Sequence, residues 1–463
     1  MKQLEVFSPF DGHKISEVKL SSKDEVLAAL DRAYEIFNDY DKRLKKFEII
    51  EILNRAIEII QRDKEEIIEI ATSEGGKPYI DSKIEVERGI DGIKVAISYL
   101  EQMGGKEIAM GHTRSSANRL AYTFKEPLGV VVSISAFNHP FNLAIHQVIP
   151  AIAVGCPVII RPASKTPLSA FKLIEILKEA GLPDGYATAI ACDKESAAAL
   201  VSSPKVAFFS FIGSAKVGWE LKRKLHDGVR SALEHGGVAP VIVEKDANLD
   251  EVLPLLLKGG FYHAGQVCVS VQRVYVHKDI AKELAKRLAQ MASRLKVGDP
   301  MLKETEVGPL ISDKEIQRVS SWVDESIKNG AELLCGGERL GESCYKPTVL
   351  FNPKDSDTIS RKEVFGPVVC VYSYNDIDEA IKRANSLDVS FQSAIFSNNI
   401  NSCLRAVKRL NATAVMVNDH TAFRVDWMPF GGAKSSGIGV GGINYSMDEM
   451  SNTKLMVIKS KEL

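Results

Sequence analysis

Beyond residue 127 the chain alternates short apolar runs with helical stretches, and this rhythm constrains its fold more than any other feature of its 463 residues. Gly129–Ile134, Pro157–Ile160 and Val206–Phe211 read as strands, with a helical stretch at Ser169–Ala180 among them. Strands separated by helices make βαβ units, which implies a parallel sheet with helices on both faces. The rhythm restarts after Gly236 with Pro240–Val243, a helix over Leu249–Gly260, Val271–His277 and a helix over Ile280–Leu295. Two successive α/β lobes suit a chain too long for one ordinary core.

Ahead of these lobes, Ser22-Lys23-Asp24-Glu25 has capping-box spacing, and Val26, Leu30, Ala33, Tyr34 and Phe37 then share a helical face. Phe47, Ile50, Leu53, Ile57 and Ile60 mark a second amphipathic helix. At the other end Thr453–Ser460 alternates as a strand with no local hairpin partner. It either completes a sheet on another subunit or docks onto its own domain.

Composition removes several classes of function. Lys and Arg number 59 against 60 Asp and Glu, a formal net charge of -1, so no global field attracts nucleic acid or an acidic membrane. The N-terminus lacks a signal-peptide core, and the most apolar region, Leu128–Ile160, is broken by Asn138, His139, Asn142, His146 and prolines. That region is expected to be buried sheet and helix around a functional turn, in a cytoplasmic protein. The seven cysteines are scattered without CxxC spacing, which argues against a disulfide framework or a zinc site.

The chemistry concentrates at two places, Gly265-Gln266-Val267-Cys268 and Glu234 in Ala-Leu-Glu-His-Gly-Gly. A thiol and a carboxylate are the two groups that covalent aldehyde oxidation needs: a nucleophile to form the thio-adduct and a base to activate the water that removes the acyl group. Both lie near the join of the two lobes, a favoured place for a ligand cleft. Gly213-Ser214 stands at a probable helix start, where free N–H groups can hold a pyrophosphate without a GxGxxG turn.

Taken in order, Ser8-Pro9-Phe10-Asp11-Gly12, Glu74-Gly75-Gly76-Lys77-Pro78, Phe137-Asn138-His139-Pro140, Phe211-Ile212-Gly213-Ser214, Leu233-Glu234-His235-Gly236-Gly237, Gly265-Gln266-Val267-Cys268, Glu363-Val364-Phe365-Gly366-Pro367 and Pro429-Phe430-Gly431-Gly432 resemble the aldehyde dehydrogenase superfamily nearly end to end. The resemblance implies two Rossmann-like parallel-sheet domains plus a small oligomerisation sheet. Residues 1–104 and 127–235 would form the dinucleotide-binding domain, 236–440 the catalytic domain, and 105–126 with 441–463 the oligomerisation segment of a homodimer or homotetramer. It also implies Cys268 as nucleophile, Glu234 as deacylation base, and Asn138 with the Cys268 N–H as oxyanion donors. NAD or NADP would lie along Ile134, Ser135, Phe137, Arg161, Ser164, Gly213, Ser214, Val217 and Gly236, with Glu363 and Phe365 holding the nicotinamide ribose and ring. No metal is implied. Glu234 favours hydrolysis of the thioester over its transfer to coenzyme A.

Several positions depart from the family pattern. Arg161-Pro162-Ala163-Ser164 replaces Lys-Pro-x-Glu. Ser164 does not repel a 2'-phosphate, and Arg161 and Lys165 can pair with one, so NADP is expected to be accepted alongside NAD. Ala191-Cys192-Asp193-Lys194 replaces a glycine-rich stretch. His235 stands where Leu is usual, either packing locally or tuning the base.

The polar loop Asn418–Arg424 and the turn Phe137–Asn142 look similar to the phosphonoacetaldehyde and lactaldehyde dehydrogenase branches. They suit a small polar or anionic aldehyde, with Arg114, Arg119, His139 and Arg424 as candidate contacts. Val267 stands where a basic residue would complete a phosphonate clamp. Two other readings compete: a thiol-dependent esterase using the same Cys268, and a catalytically inactive paralogue that keeps the fold.

Overall fold

The computed structural model describes residues 2–463. The expected rhythm forms two mainly parallel sheets. In the first, six strands run in the order Gly437–Ile438, Arg230–Glu234, Val206–Ile212, Val130–Ile134, Val158–Arg161, Ala187–Ala189. All neighbours pair in parallel except Gly437–Ile438, which returns from far along the chain to lie antiparallel to Arg230–Glu234. The strand order reverses between Val130–Ile134 and Val206–Ile212, and their carboxyl ends come level, with Ile134 opposite both Arg161 and Phe211. A reversal of this kind opens a crevice beyond the strand ends.

The second sheet has seven strands in the order Glu332–Cys335, Thr348–Phe351, Val368–Tyr374, Arg273–His277, Pro240–Val243, Gln392–Phe396, Ala414–Val417. Only Glu332–Cys335 is antiparallel. Its central strands are buried on both faces, which is why they read as unbroken apolar runs. The helices Leu249–Phe261 and Lys278–Ala292 cover it close to where the sequence places them.

Every residue of the Pro140–Ala153 helix is buried. It lies against the long helix Tyr79–Gln102, where Gly89 permits the approach: a Cβ there would sit 2.7 Å from Ile145 Cδ1. Among the described residues no helix is long and apolar enough to cross a membrane.

The capping box is present, with Ser22 starting the Lys23–Asn38 helix and Glu25 bonding back to it. Two residues of the expected apolar faces are exposed. Phe47 opens the Lys46–Arg62 helix but is 57% exposed; the buried face is carried by Ile49, Ile52, Leu53, Ala56, Ile57, Ile59 and Ile60. The buried stripe of this helix begins at Ile49, two residues past Phe47. Tyr34 is likewise exposed.

The terminal strand Ser451–Lys459 pairs along its whole length with Arg119–Pro127 of the same chain, and Glu107–Ile108 completes a three-stranded antiparallel sheet. All seven cysteines are free thiols. Substituting Leu53→Ala is expected to destabilise the fold by roughly 2–5 kcal/mol, and Phe47→Ala by less than about 0.5 kcal/mol. Urea melts of the two variants measure the contrast.

Candidate active site

The carboxyl ends of the first sheet and the loops of the second enclose one cavity of about 1130 Å³. Cys268 reaches it from a backbone that only a few residues tolerate. His263, Ala264 and Gly265 take consecutive positive φ angles of 48°, 53° and 68°. Such conformations are costly for side-chain-bearing residues and persist only where the surroundings enforce them. A Cβ at Gly265 would overlap the Gly366 carbonyl, so this position is closed to any other residue.

Gln266 fixes the turn. Its buried side chain donates to the Pro309 carbonyl (3.1 Å) and accepts from the Ile311 N–H (2.9 Å). The Gln266 carbonyl accepts from Asn138 Nδ2 at 2.9 Å, which ties the Asn138 turn to the Cys268 loop. One of the two amide hydrogens of Asn138 is used there, leaving the second.

Cys268 is half-buried at the cavity wall, with Glu234 and Glu363 also lining it. Burial pushes its thiol well above the usual range, the carboxylates of Glu234 and Glu363 push the same way, and Arg424 opposes them. Burial also raises Glu234, again opposed by Arg424. Glu363 is raised by burial to about 8 against the pull of Arg318. The site thus holds one thiol and two carboxyls whose ionisation is resisted, together with two guanidiniums, Arg424 and Arg318, that favour it.

Arg424 sits 3.6 Å above the Phe430 ring and makes one side-chain hydrogen bond, to His146 Nδ1 at 3.3 Å. Among the described residues no carboxylate lies within ion-pair distance of it, and its Nε is buried without a partner. Since Nδ1 accepts, His146 carries its proton on Nε2 and donates it to Asp426 at 2.7 Å. Burial and the Arg424 charge pull His146 down to about 4, so it stays neutral. Burial acts to raise Asp426, but hydrogen bonds from His146 and Arg88, with the Arg88 charge, outweigh it and hold the carboxylate ionised. Arg88, Asp426 and His146 together orient Arg424. None of the three was marked by the sequence as a site residue, because only the fold brings residues 88, 146 and 426 together.

The rest of the cavity suits a dinucleotide. Gly213 and Ser214 precede the helix Ala215–Lys222, and Ser214 makes no side-chain cap bond, which leaves the first-turn N–H groups for an anion. Ile134, Ser135, Val217 and Gly236 line the same wall. At Gly236 a Cβ would overlap the Glu363 carboxylate, whose buried Oε1 has no protein partner. An orphaned acceptor of this kind fits a ribose hydroxyl. Phe365, at φ 47°, meets Phe137 edge to face at 5.7 Å and closes that end.

At the far end Arg161, Ser164, Lys165 and Lys194 line the cavity, and Arg161 reaches Ser164 Oγ (3.2 Å) and the Cys192 carbonyl (3.3 Å) without a carboxylate partner. Lys194 and Glu195 begin the Lys194–Val201 helix, which takes the place of the missing glycine-rich stretch.

Three expectations need revision or refinement. Arg114 and Arg119 do not line the cavity: they belong to the turn and strand of the three-stranded sheet, and Arg119 donates instead to the Ser115 and Ala117 carbonyls. His139 lines the cavity, but its Nε2 is bonded to Tyr262 OH at 2.9 Å, and burial lowers its pKa far below the ordinary value. It is therefore a neutral hydrogen-bonding group. His235 follows the local reading, wedged edge-on between Phe211 and Trp219 with Nδ1 against the Gly213 carbonyl at 2.9 Å.

Comparison with known proteins agrees with this geometry. The aldehyde dehydrogenase family matches residues 1–456. A 3-sulfolactaldehyde dehydrogenase of Priestia aryabhattai is 36% identical over 459 residues, spanning 99% of this chain and 95% of its own. A lactaldehyde dehydrogenase of Methanocaldococcus jannaschii is 37% identical over 462 residues, spanning 99% and 97%. The crystal structure of a glyceraldehyde-3-phosphate dehydrogenase from the latter organism, complexed with NADP, superposes with a TM-score of 0.94 at 35% identity, over 99% of this chain and all (100%) of that one. Matched over nearly its whole length, with a cysteine and a glutamate lining one long cavity beside two parallel sheets, the chain belongs to the aldehyde dehydrogenase family.

Proposed function

We propose that the protein oxidises a short 2-hydroxyaldehyde carrying an anionic group on its third carbon to the carboxylate, with NADP or NAD as the oxidant. The observation that carries this reading is Arg424, a guanidinium at the cavity wall beside Cys268 and Glu234 that has no carboxylate partner. A cation removed from water favours an anion that can accept its N–H groups. Three substrates named for the relatives share a 2-hydroxypropanal skeleton and differ at carbon 3, as a sulfonate, a hydrogen or a phosphate ester. Arg424 favours the charged members. Arg161, Lys165 and Lys194 around Ser164 supply positive charge where a 2'-phosphate would lie, which supports use of NADP.

In this reading Cys268 attacks the aldehyde carbon, and the developing oxyanion is met by the Asn138 amide and the Cys268 N–H. A nicotinamide dinucleotide, when bound, supplies the hydride acceptor that turns the adduct into a thioester. Glu234 then takes a proton from water, the resulting hydroxide attacks the thioester, and the carboxylate leaves as Cys268 regains its thiol. Neutral His139 and Tyr262 provide polar contacts for the 2-hydroxyl without competing for its charge. A thiol esterase would use Cys268 as well, but it would have no use for the orphaned Glu363 oxygen or for the length of the cavity. Tyr122, Phe124, Leu455, Met456, Val457 and Ile458 leave the three-stranded sheet apolar and exposed, which supports a homodimer or homotetramer formed through it.

Cys268→Ala is expected to abolish oxidation, whereas Glu234→Gln releases one equivalent of reduced cofactor and then stalls; steady turnover by the latter variant would remove Glu234 from its role. Arg424→Gln should lower kcat/KM for sulfolactaldehyde and glyceraldehyde 3-phosphate roughly 10- to 100-fold, the scale of a hydrogen bond to a charged group. The same change should leave lactaldehyde nearly unaffected, and an equal loss on all three would separate Arg424 from the anion.

Alkylation of Cys268 by iodoacetamide without cofactor tests the electrostatics. Because its pKa is raised, the rate climbs about tenfold per pH unit up to a plateau beyond the ordinary thiol range. Arg424→Gln removes a group that favours thiolate and moves the curve to higher pH, while Glu234→Gln removes a like charge and moves it to lower pH. Shifts of the same sign would contradict the arrangement.

A further inference from the structure

One face of the helix Tyr79–Gln102, together with the residue preceding its cap, bears Lys77, Asp81, Glu85 and Arg88 at spacings of three and four. Lys77 is 0% exposed, Glu85 1% and Asp81 8%, a concentration of buried charge that a core helix has no packing reason to carry. Each of the four reaches a different part of the site. Glu85 Oε1 accepts from the backbone N–H groups of Phe141 and Asn142, both at 2.9 Å, and Glu85 Oε2 is paired with Lys77. Lys77 Nζ also donates to the Asn138 carbonyl at 3.4 Å. Asp81 accepts from the N–H of His263 (3.3 Å), the first left-handed residue of the nucleophile turn. Arg88 grips Asp426 through two nitrogens at 2.7 and 3.2 Å.

The Pro140–Ala153 helix starts at His139, whose own side chain makes no cap bond. A local Ser, Asn or Asp would normally supply that acceptor. Here it comes from a remote helix, so the first turn after Asn138 is held relative to the element that also holds the nucleophile turn.

We propose that the Lys77–Glu85 pair is a positioning device: it sets the Asn138 amide against the Cys268 loop. The inference rests on the reading of Asn138 as an oxyanion donor. Glu85 and Lys77 touch neither substrate nor cofactor in this scheme; they act through the Asn138 carbonyl and the helix turn that follows it.

The test is a double-mutant cycle read by single-turnover formation of reduced cofactor with enzyme in excess. Lys77→Met/Glu85→Gln keeps the buried charge balanced, so its thermal midpoint and cofactor affinity are expected to stay close to those of the parent. Its single-turnover rate constant should fall at least tenfold with little change in the aldehyde concentration at half-maximal rate. Asn138→Ala should then cost far less in this background than in the parent, because the amide is already displaced.

Glu85→Asp, which keeps the charge and withdraws its reach by one methylene, should show the same loss of coupling and gives the answer if the double variant does not fold. A full single-turnover rate in either soluble variant, or an undiminished cost of Asn138→Ala in it, would overturn the positioning role. If Asn138→Ala left the parent rate unchanged, the oxyanion reading would fall and this inference with it.

Discussion

A hydrogen bond of 2.9 Å from the Asn138 amide to the Gln266 carbonyl joins the two halves of the site, and the rest of the cavity is organised around it. Asn138 follows the strand at the reversal point of the first sheet, whereas Gln266 belongs to the loop that follows a helix of the second. Each partner is held on its own side: Gln266 by Pro309 and Ile311, the Asn138 turn by the Lys77–Glu85 pair. A thiol on a strained turn and an amide on a capped one therefore face each other without needing the ligand to assemble them. Preorganisation of this kind is where electrostatic stabilisation gains its size, because no dipole has to be turned at the moment of reaction.

The electrostatics of the cavity are arranged so that charge is scarce until something brings it. Burial resists ionisation of Cys268, Glu234 and Glu363; Arg318 opposes it at Glu363, and at Cys268 and Glu234 the opposing charge is Arg424. Its orientation is set two residues away, through a neutral His146 whose tautomer is fixed by Asp426. An anion drawn to Arg424 would weaken its pull on Glu234 and leave that carboxylate more basic.

Much of this was legible before any coordinates. The βαβ rhythm predicted both sheets because strands buried on two faces leave unmistakable apolar runs, and the thiol and carboxylate stood out because their motif neighbours did. What the sequence did not reveal has physical reasons. Phe47 fits the helical period but stays exposed, because the buried stripe of its helix begins at Ile49, and periodicity carries no information about where burial begins. Arg114 and Arg119 have the right charge on the wrong sheet. Arg88, His146 and Asp426 become a unit only through tertiary contact across hundreds of positions, and the two-residue strand Gly437–Ile438 is too short to leave a pattern.

That short strand also decides what closes the cavity behind Glu234. Gly437 pairs with Glu234 itself, Phe430 bonds to Gly441 on both backbone groups, and Arg230 reaches the Ser451 carbonyl at 2.8 Å. The wall behind Glu234 is thus contributed by a segment far along the chain from the sheet it completes. The first sheet alone leaves that side open, so the cavity depends on a long-range docking step that no local contact can replace.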